Sequence, residues 1–184
     1  MGIPKPTARL RGRPLIEYPL NAAVGAKLET FVVAKQSSDL PPLDAPVVIE
    51  PEEPTHVLAG IVAALEAANG RPVLAVAADM PFMEGTLLAW LASHPGTTVV
   101  EAAGRLQPLL ARFEPDTVTA LREARDRSEP AQETIAALNP HVVGDAELVR
   151  FGKPMRMCFN VNTPEQLREA ESDLRERELR VLSR

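Results

Sequence analysis

The stretch Pro72–Met83, Pro-Val-Leu-Ala-Val-Ala-Ala-Asp-Met-Pro-Phe-Met, decides the fold. Its residues from Val73 to Ala78 form an unbroken apolar run, which is typical of a β-strand that is covered on both faces. The run ends at Asp79, and Pro81 soon follows, which cannot extend a sheet ladder. We therefore predict Asp79 at the carboxyl end of this strand, where open parallel α/β sheets bind their ligands.

These residues alone leave two interpretations of Asp79 open. A lone carboxylate at that edge suits a hard cation such as Mg²⁺, which binds through one or two carboxylates together with substrate phosphates. Aspartate is also a common turn residue, so the side chain could instead stabilise the turn that follows the strand. The stretch by itself favours neither interpretation.

Length and composition predict a single domain spanning residues 1–184. The net charge of −5 argues against non-specific binding of nucleic acid. One cysteine, Cys158, excludes an internal disulfide and fits a reducing compartment. No apolar run approaches the roughly 20 residues of a membrane span, and the first residues lack the apolar core of a signal peptide. We therefore expect a cytoplasmic protein that binds neither nucleic acid nor a membrane.

The first half of the chain alternates short apolar runs with amphipathic stretches. The pattern predicts a helix from Arg13, with Pro14 in its first turn. Phe31–Ala34 and Val47–Ile49 are predicted strands, and Thr55 is predicted to cap the next helix. This alternation indicates repeated βαβ units, and hence a three-layer α/β/α Rossmann-like fold with a mostly parallel sheet.

The second half adds strands and a long terminal helix. Thr97–Glu101 and Leu106–Phe113 are predicted to pair around a tight glycine turn. Met155–Val161 is predicted as a last strand. Thr163 is the expected N-cap of the terminal helix, with Pro164 at its first position.

Several short motifs, taken in order along the chain, are similar to those of one family. The first two resemble the tail of the signature of enzymes that transfer a nucleoside monophosphate onto a phosphate, a signature that reads Leu-Ala-Gly-Gly, a basic stretch, Met-Gly, a lysine and Gly-x-Pro-Leu. The later motifs have counterparts in one branch, the molybdenum-cofactor guanylyltransferases. The motifs are Met1-Gly2-Ile3-Pro4-Lys5, Gly12-Arg13-Pro14-Leu15-Ile16, Leu58-Ala59-Gly60-Ile61, Ala78-Asp79-Met80-Pro81-Phe82, Gln107-Pro108-Leu109-Leu110-Ala111 and Phe159-Asn160-Val161-Asn162-Thr163-Pro164-Glu165.

The resemblance implies an activity, a cofactor and partners. Members of that branch join GMP from GTP to molybdopterin with the help of Mg²⁺. The implied ligands are therefore GTP or another NTP, a molybdopterin-like phosphate acceptor and Mg²⁺. A molybdoenzyme or its chaperone is the further partner that the resemblance suggests.

The resemblance also assigns the nucleotide side of the site. Asp79 matches the residue that holds Mg²⁺ against the triphosphate, and Lys5 matches the signature lysine, whose ammonium would offset phosphate charge. Gly2 falls where a side chain would block close approach of the backbone to the nucleotide. Lys35 falls at a loop position near the guanine or ribose, and Gly60 belongs to a motif on the same side.

Four further residues are assigned to the acceptor side. Asn160 and Asn162 resemble a pair of asparagines that faces the acceptor in the family. A cap of the last helix is the alternative for both, and it carries about equal weight for Asn162. Arg105 and Gln107 are expected within reach of the phosphate or pterin of the acceptor.

The chain departs from the family pattern at three places. The first strand and the Leu-Ala-Gly-Gly loop, about ten residues that wrap the triphosphate with backbone N–H groups, do not precede Gly2. Pro51 stands where an aspartate is usual, and His56 lies within another altered motif. Two alternatives therefore stay open: a nucleotidyltransferase with another base or acceptor, such as a cytidylyl- or sugar-phosphate enzyme, and an inactive nucleotide-binding relative.

Overall fold

The computed structural model describes the backbone of residues 8–182 and the side chains of residues 8–176. Gly2 and Lys5 lie outside the described residues. The strands are β1 (Arg9–Leu10), β2 (Arg13–Pro14), β3 (Val32–Lys35), β4 (Val47–Glu50), β5 (Val73–Val76), β6 (Thr98–Ala102), β7 (Arg105–Phe113) and β8 (His141–Val143). The helices are α1 (Glu17–Gly25), α2 (Val57–Ala67), α3 (Gly85–Ser93), α4 (Val118–Asp126), α5 (Ala131–Ala137), α6 (Asp145–Leu148), α7 (Pro154–Met157) and α8 (Pro164–Leu182), with a 3₁₀ turn at Pro115–Thr117.

The main strands fall into two sheets that do not join within residues 8–182. One sheet has the order β5-β7-β6-β8, and the other consists of β3 and β4. The pairs β3–β4 and β6–β8 are parallel, whereas β7 runs antiparallel to both β5 and β6. A tight turn at Ala103 and Gly104, both with positive φ, makes the β6–β7 connection a hairpin and so accounts for the antiparallel pair.

Helices cover both faces of the larger sheet. Successive strand residues point to opposite faces, so Ala111 of β7 packs in one apolar cluster and Leu110 in the other. The first cluster contains α2, α4 and α5, and the second contains α1 and α3. This arrangement confirms the α/β Rossmann-like fold class that the sequence predicts.

A third apolar cluster joins distant parts of the chain at one end of the molecule. It contains Leu10 and Leu15 from the first hairpin, Phe82 from the loop after β5, and Val161 and Ala170 near and within α8. Burial of these side chains holds the loop after Asp79 against the segment that leads into the last helix.

The structure corrects the predicted start of the first helix. Arg13 and Pro14 form β2, which pairs with β1, and the helix begins only at Glu17. Arg11 and Gly12 both have positive φ, at 52° and 81°, so the chain reverses before Pro14. The Leu15 N–H then donates to the Ala8 carbonyl at 2.8 Å. Pro14 therefore lies in a short hairpin and not in a helical first turn.

Two other predicted features are also wrong. His56, and not Thr55, caps α2: its Nδ1 accepts the Leu58 N–H at 3.2 Å. The predicted strand Met155–Val161 begins as helix α7, because Pro154 occupies a first-turn position and the Met157 N–H donates to the Lys153 carbonyl at 3.1 Å. No helix within the described part of the chain is long and apolar enough to cross a membrane.

Candidate functional site

A large cavity separates the two main sheets. It has a volume of about 870 Å³ and lies between β3 and β5, with helices α1 and α2 closing its two sides. Its walls are mainly apolar and include Val33, Ala75, Pro19 and Ile61. We call this space, bounded by β3, β5, α1 and α2, the central cavity.

Charged and polar side chains gather where β3 and β4 end at the central cavity. Lys35 and Glu50 are paired across the parallel strands and are the last residues of each. The Lys35 Nζ donates to the Thr55 Oγ1 at 2.7 Å and to the Glu52 carbonyl oxygen. Ser37 donates its N–H and its hydroxyl to the Glu52 carboxylate at 2.9 and 2.7 Å. The two loops that follow β3 and β4 are thereby held together.

Gly60 allows the Glu50 carboxylate to lie against helix α2. A Cβ on Gly60 would lie 3.1 Å from Glu50 Oε2, which is closer than nine in ten real Cβ contacts. Burial raises the pKa of Glu50 above its usual value. The nearby Lys35 ammonium lowers this pKa, and the negative charge of Glu52 raises it further, but burial has the largest effect. The hydrogen bonds from Ser37 instead lower the pKa of Glu52. The cavity mouth thus combines an ammonium group with two carboxyl groups in different environments.

Asp79 follows β5 at the same edge. The Ala77 N–H donates to the Leu109 carbonyl at 2.8 Å, which continues the pairing with β7 beyond Val76. Ala77 and Ala78 line the central cavity, and Asp79, whose side chain is half-buried, comes directly after them. The Asp79 carbonyl accepts the Val161 N–H at 2.9 Å. This bond ties the loop of Asp79 to the segment that carries Asn160 and Asn162.

The cap of the last helix is made by residues other than the two asparagines. Thr163 Oγ1 accepts the Gln166 N–H at 3.2 Å, and Gln166 Oε1 accepts the N–H groups of Thr163 and Asn162 at 3.0 and 2.7 Å. This is a reciprocal capping box. The Asn160 side chain donates to the Cys158 carbonyl at 3.0 Å. The capping alternative is therefore wrong for both asparagine side chains, and the predicted cap at Thr163 is confirmed.

Arg105 and Gln107 lie near the start of β7. The Gln107 Nε2 donates to the Arg105 carbonyl at 3.1 Å, and Arg105 itself is exposed. Because Ala77 pairs with Leu109 in antiparallel register, Gln107 and Asp79 each lie two residues beyond that pair. The two residues therefore belong to the same end of the sheet.

Arg156 is a residue that the sequence argument missed. Its guanidinium lies 4.3 Å from the centre of the Phe82 ring, and its Nε is 2.5 Å from Asp173 Oδ2. Its Nη2 is buried and finds no hydrogen-bond partner within the described residues. In the sequence, the only indication of this residue is an arginine between Met155 and Met157, shortly before the motif that contains Asn160. A water or an ion commonly satisfies a buried donor of this kind.

Five of the expected site residues lie in two groups. Lys35 and Gly60 lie at the central cavity, and Asp79 is tied to the segment of Asn160 and Asn162. Within residues 8–176, no group of three or more His, Cys, Asp or Glu side chains is arranged to hold a metal ion.

Comparison with solved structures identifies the fold. The fold matches the molybdopterin-guanine dinucleotide biosynthesis protein A of Archaeoglobus fulgidus with a TM-score of 0.80 and 24% identity, over 95% of this chain and 92% of the other. It also matches the 2-C-methyl-D-erythritol 4-phosphate cytidylyltransferase of Thermus thermophilus, with a TM-score of 0.68, 21% identity and 93% of each chain covered. The fold is that of the nucleotidyltransferases.

The chain belongs to the MobA-like NTP transferase family, whose domain it matches over residues 1–181. It is 32% identical to a molybdenum cofactor guanylyltransferase of Cereibacter sphaeroides, over 95% of this chain and 90% of the relative. It is 30% identical to a probable molybdenum cofactor guanylyltransferase of Chloroflexus aggregans, over 76% of this chain and 71% of the relative. The family resemblance inferred from the short motifs is confirmed, and the chain is a nucleotidyltransferase.

Proposed function

We propose that this nucleotidyltransferase transfers GMP from GTP to the phosphate of a molybdopterin, with Mg²⁺ as its cofactor. The observation that carries the proposal is the Val161 N–H to Asp79 carbonyl bond, which joins the motif of the nucleotide side to that of the acceptor side. Curated relatives that match this chain over most of its length are named molybdenum cofactor guanylyltransferase or probable molybdenum cofactor guanylyltransferase. The names of these relatives support GTP and molybdopterin as the substrates, and the hydrogen bond supports one site formed by the two motifs.

Asp79 is the proposed ligand of the metal ion. The surroundings fit Mg²⁺, because this ion keeps several waters and uses one or two carboxylates together with phosphate oxygens, so a full protein cage is not needed. When bound, Mg²⁺ would neutralise charge on the triphosphate. By holding that ion, Asp79 would position the triphosphate beside the acceptor segment, and Lys5 is proposed to offset part of the phosphate charge.

The loops at the mouth of the central cavity are proposed to select the nucleotide. Glu50, held against Gly60, offers a carboxylate that can accept hydrogen bonds from the N–H groups of a guanine. Lys35 would contact the ribose or base. The proposed role of Glu50 would compensate for Pro51, which occupies the position of the family's aspartate.

Asn160 and Asn162 are proposed to orient the acceptor, with Arg105 and Gln107 near its phosphate or pterin. The acceptor phosphate would attack the α-phosphorus of GTP in line, and pyrophosphate would leave. In such a transfer the protein contributes mainly positioning and charge neutralisation. Because Thr163 and Gln166 cap α8, the side chains of both asparagines can contact a ligand without disturbing that helix.

Titration of the full chain with GTP, CTP and ATP in the presence of Mg²⁺ tests the nucleotide assignment. We expect GTP to bind at least roughly tenfold more tightly than CTP, a difference of about 1.4 kcal/mol. A transfer assay with molybdopterin and α-labelled GTP then tests the acceptor. Equal binding of the nucleotides, or a preference for CTP, would contradict the guanylyl assignment and leave a nucleotidyltransferase of other specificity.

The proposal extends to the surroundings of the enzyme. We propose a cytoplasmic location, which the single free thiol of Cys158 supports because it fits a reducing compartment. The product would pass to a molybdoenzyme or its chaperone. We propose neither a nucleic-acid nor a membrane partner.

A further inference from the structure

Arg156 contacts two parts of the molecule that are distant from each other in the sequence. Its Cζ lies 4.3 Å from the centre of the Phe82 ring, in the loop that follows Asp79. Its Nε lies 2.5 Å from Oδ2 of Asp173, on helix α8. The Arg156 side chain is only 18% exposed, so both contacts are largely shielded from water. One side chain thus connects the loop of Asp79 to the last helix.

A hydrogen-bonded turn joins Arg156 to the segment that carries Asn160. The Phe159 N–H donates to the Arg156 carbonyl at 3.0 Å, and Asn160 follows directly. The centre of the Phe159 ring lies 6.0 Å from that of the Phe82 ring. Two side chains of this turn therefore contact the same phenylalanine.

Asn160 lies between two residues that both contact the loop of Asp79. Phe159 precedes it and contacts Phe82, while Val161 follows it and donates its N–H to the Asp79 carbonyl at 2.9 Å. A single hydrogen bond would leave the segment free to rotate about that bond. The second set of contacts, at Phe82, removes this freedom and fixes Asn160 relative to Asp79.

The contact with Phe82 depends on both the shape and the charge of Arg156. A guanidinium is planar and positively charged, and it is attracted to the face of an aromatic ring. The bond from Nε to Asp173 holds the group in place while it lies over the ring. A lysine ammonium keeps the charge but lacks the plane and the fixed fork of donors. Arginine is therefore the side chain that can make both contacts at this position.

We propose that Arg156 is a positioning residue for the transfer reaction. Through Phe82 and Asp173 it fixes the loop of Asp79 relative to Asn160, without contacting either substrate. The inference rests on the proposed roles of Asp79 and Asn160. Because a misplacement of about 1 Å can cost on the order of 100-fold in rate, loss of Arg156 is expected to lower kcat more than the affinity for the nucleotide.

Amide hydrogen exchange on the full chain tests the contact without any substrate. Arg156→Met keeps an unbranched apolar side chain and removes the guanidinium, and it should make the Val161 amide exchange at least roughly tenfold faster. The Ala77 amide, which donates to the Leu109 carbonyl within the sheet, should exchange as in the wild type. Unchanged exchange at Val161, or equal acceleration at both amides, would overturn the inference.

Arg122→Met is the matched control. Arg122 also joins two elements through an ion pair, since its Nη2 on α4 lies 2.8 Å from Glu66 Oε1 on α2. These two helices pack in the first apolar cluster, whereas Phe82 belongs to the third. We expect Arg122→Met to leave the Val161 amide and the transfer rate unchanged.

Steady-state kinetics with GTP, molybdopterin and Mg²⁺ separates positioning from binding. Arg156→Met should lower kcat by at least roughly tenfold, while the Kd for GTP stays within about twofold of the wild type. Arg156→Lys, which keeps a positive charge beside Asp173, should recover part of the lost kcat. When Arg156→Met is combined with Asp173→Asn, the two losses should not add, because both act through one contact.

Two kinetic outcomes would overturn the positioning role. One is a wild-type kcat in Arg156→Met, and the other is a loss that appears only as weaker GTP binding. If the wild type itself transfers no GMP, the proposed function fails, and the exchange of the Val161 amide then decides whether Arg156 fixes the loop of Asp79.

Discussion

Replacing Gly60 by alanine is expected to change stability and nucleotide binding in opposite directions. Glycine inside a helix costs about 0.5–1 kcal/mol relative to alanine, and Gly60 lies in the interior of α2. The added Cβ would meet Glu50 Oε2 at 3.1 Å, while the next atoms, Glu50 Cδ and Val33 Cγ1, lie at 3.9 and 4.0 Å. Only the end of one side chain therefore has to move.

The magnitudes follow from these contacts. A shift of a few tenths of an ångström by the Glu50 carboxylate leaves a net gain of up to about 0.5 kcal/mol, which raises Tm by roughly 1–2 °C in a chain of this size. The same shift moves the Glu50 carboxylate, which is proposed to accept hydrogen bonds from the guanine. We expect the affinity for GTP to fall roughly tenfold, or by about 1.4 kcal/mol.

Calorimetry of GTP binding and thermal unfolding of Gly60→Ala measure both effects. Gly25→Ala is the matched control, since a Cβ there finds no described atom within 4 Å and Gly25 also lies in a helix. In Gly60→Ala combined with Glu50→Ala, the two losses of affinity should not add, because both act through one carboxylate. Unchanged GTP affinity in Gly60→Ala, or equal losses in both glycine variants, would refute the reasoning.

Three further outcomes are expected. The pKa of Glu50 is raised in the folded protein, so its contribution to stability is present at low pH and is lost as pH rises through the folded pKa. The stability of Glu50→Gln relative to the wild type, measured by urea unfolding, should therefore increase from about pH 4 to pH 7. A stability difference that does not change with pH would contradict this. Phe113→Ala should lower the free energy of unfolding by about 3–5 kcal/mol, because the side chain is fully buried. A loss below about 1 kcal/mol in urea unfolding would contradict this and show that neighbouring side chains fill the space left by the ring. Thr163→Ala removes half of the capping box and should cost about 0.5–2 kcal/mol, whereas Glu169→Gln, at an exposed position further along α8, should cost less; equal losses would argue against the cap.

The sequence predicts the elements whose signals are local. The unbroken run from Val73 onwards becomes β5, and Thr163 caps α8 as expected, since each depends on the residues next to it. Pro14 is misjudged because the reversal at Arg11 and Gly12 depends on backbone conformation and on a pairing with the first hairpin strand. His56 displaces Thr55 as the cap because an imidazole nitrogen can also accept an N–H.

The site is harder to predict from the sequence than the fold, because it is formed by residues that lie far apart along the chain. The motif order points to Lys35, Gly60 and Asp79, but the contact between Gly60 and Glu50 depends on how α2 packs against β4. The central cavity is likewise invisible in the sequence, since it depends on which strand edges fail to pair. The burial of an Arg156 nitrogen that has no partner among the described side chains becomes visible only once α7 and Phe82 are packed together.

The most direct test of the proposed chemistry is a transfer assay on Asp79→Asn. The substitution keeps the shape of the side chain and removes its charge, while the backbone carbonyl that receives Val161 is retained. With α-labelled GTP, molybdopterin and Mg²⁺, the variant should lose transfer by at least about 100-fold while its circular dichroism spectrum shows that it remains folded. Transfer at the wild-type rate would remove Asp79 from the metal site and contradict the account.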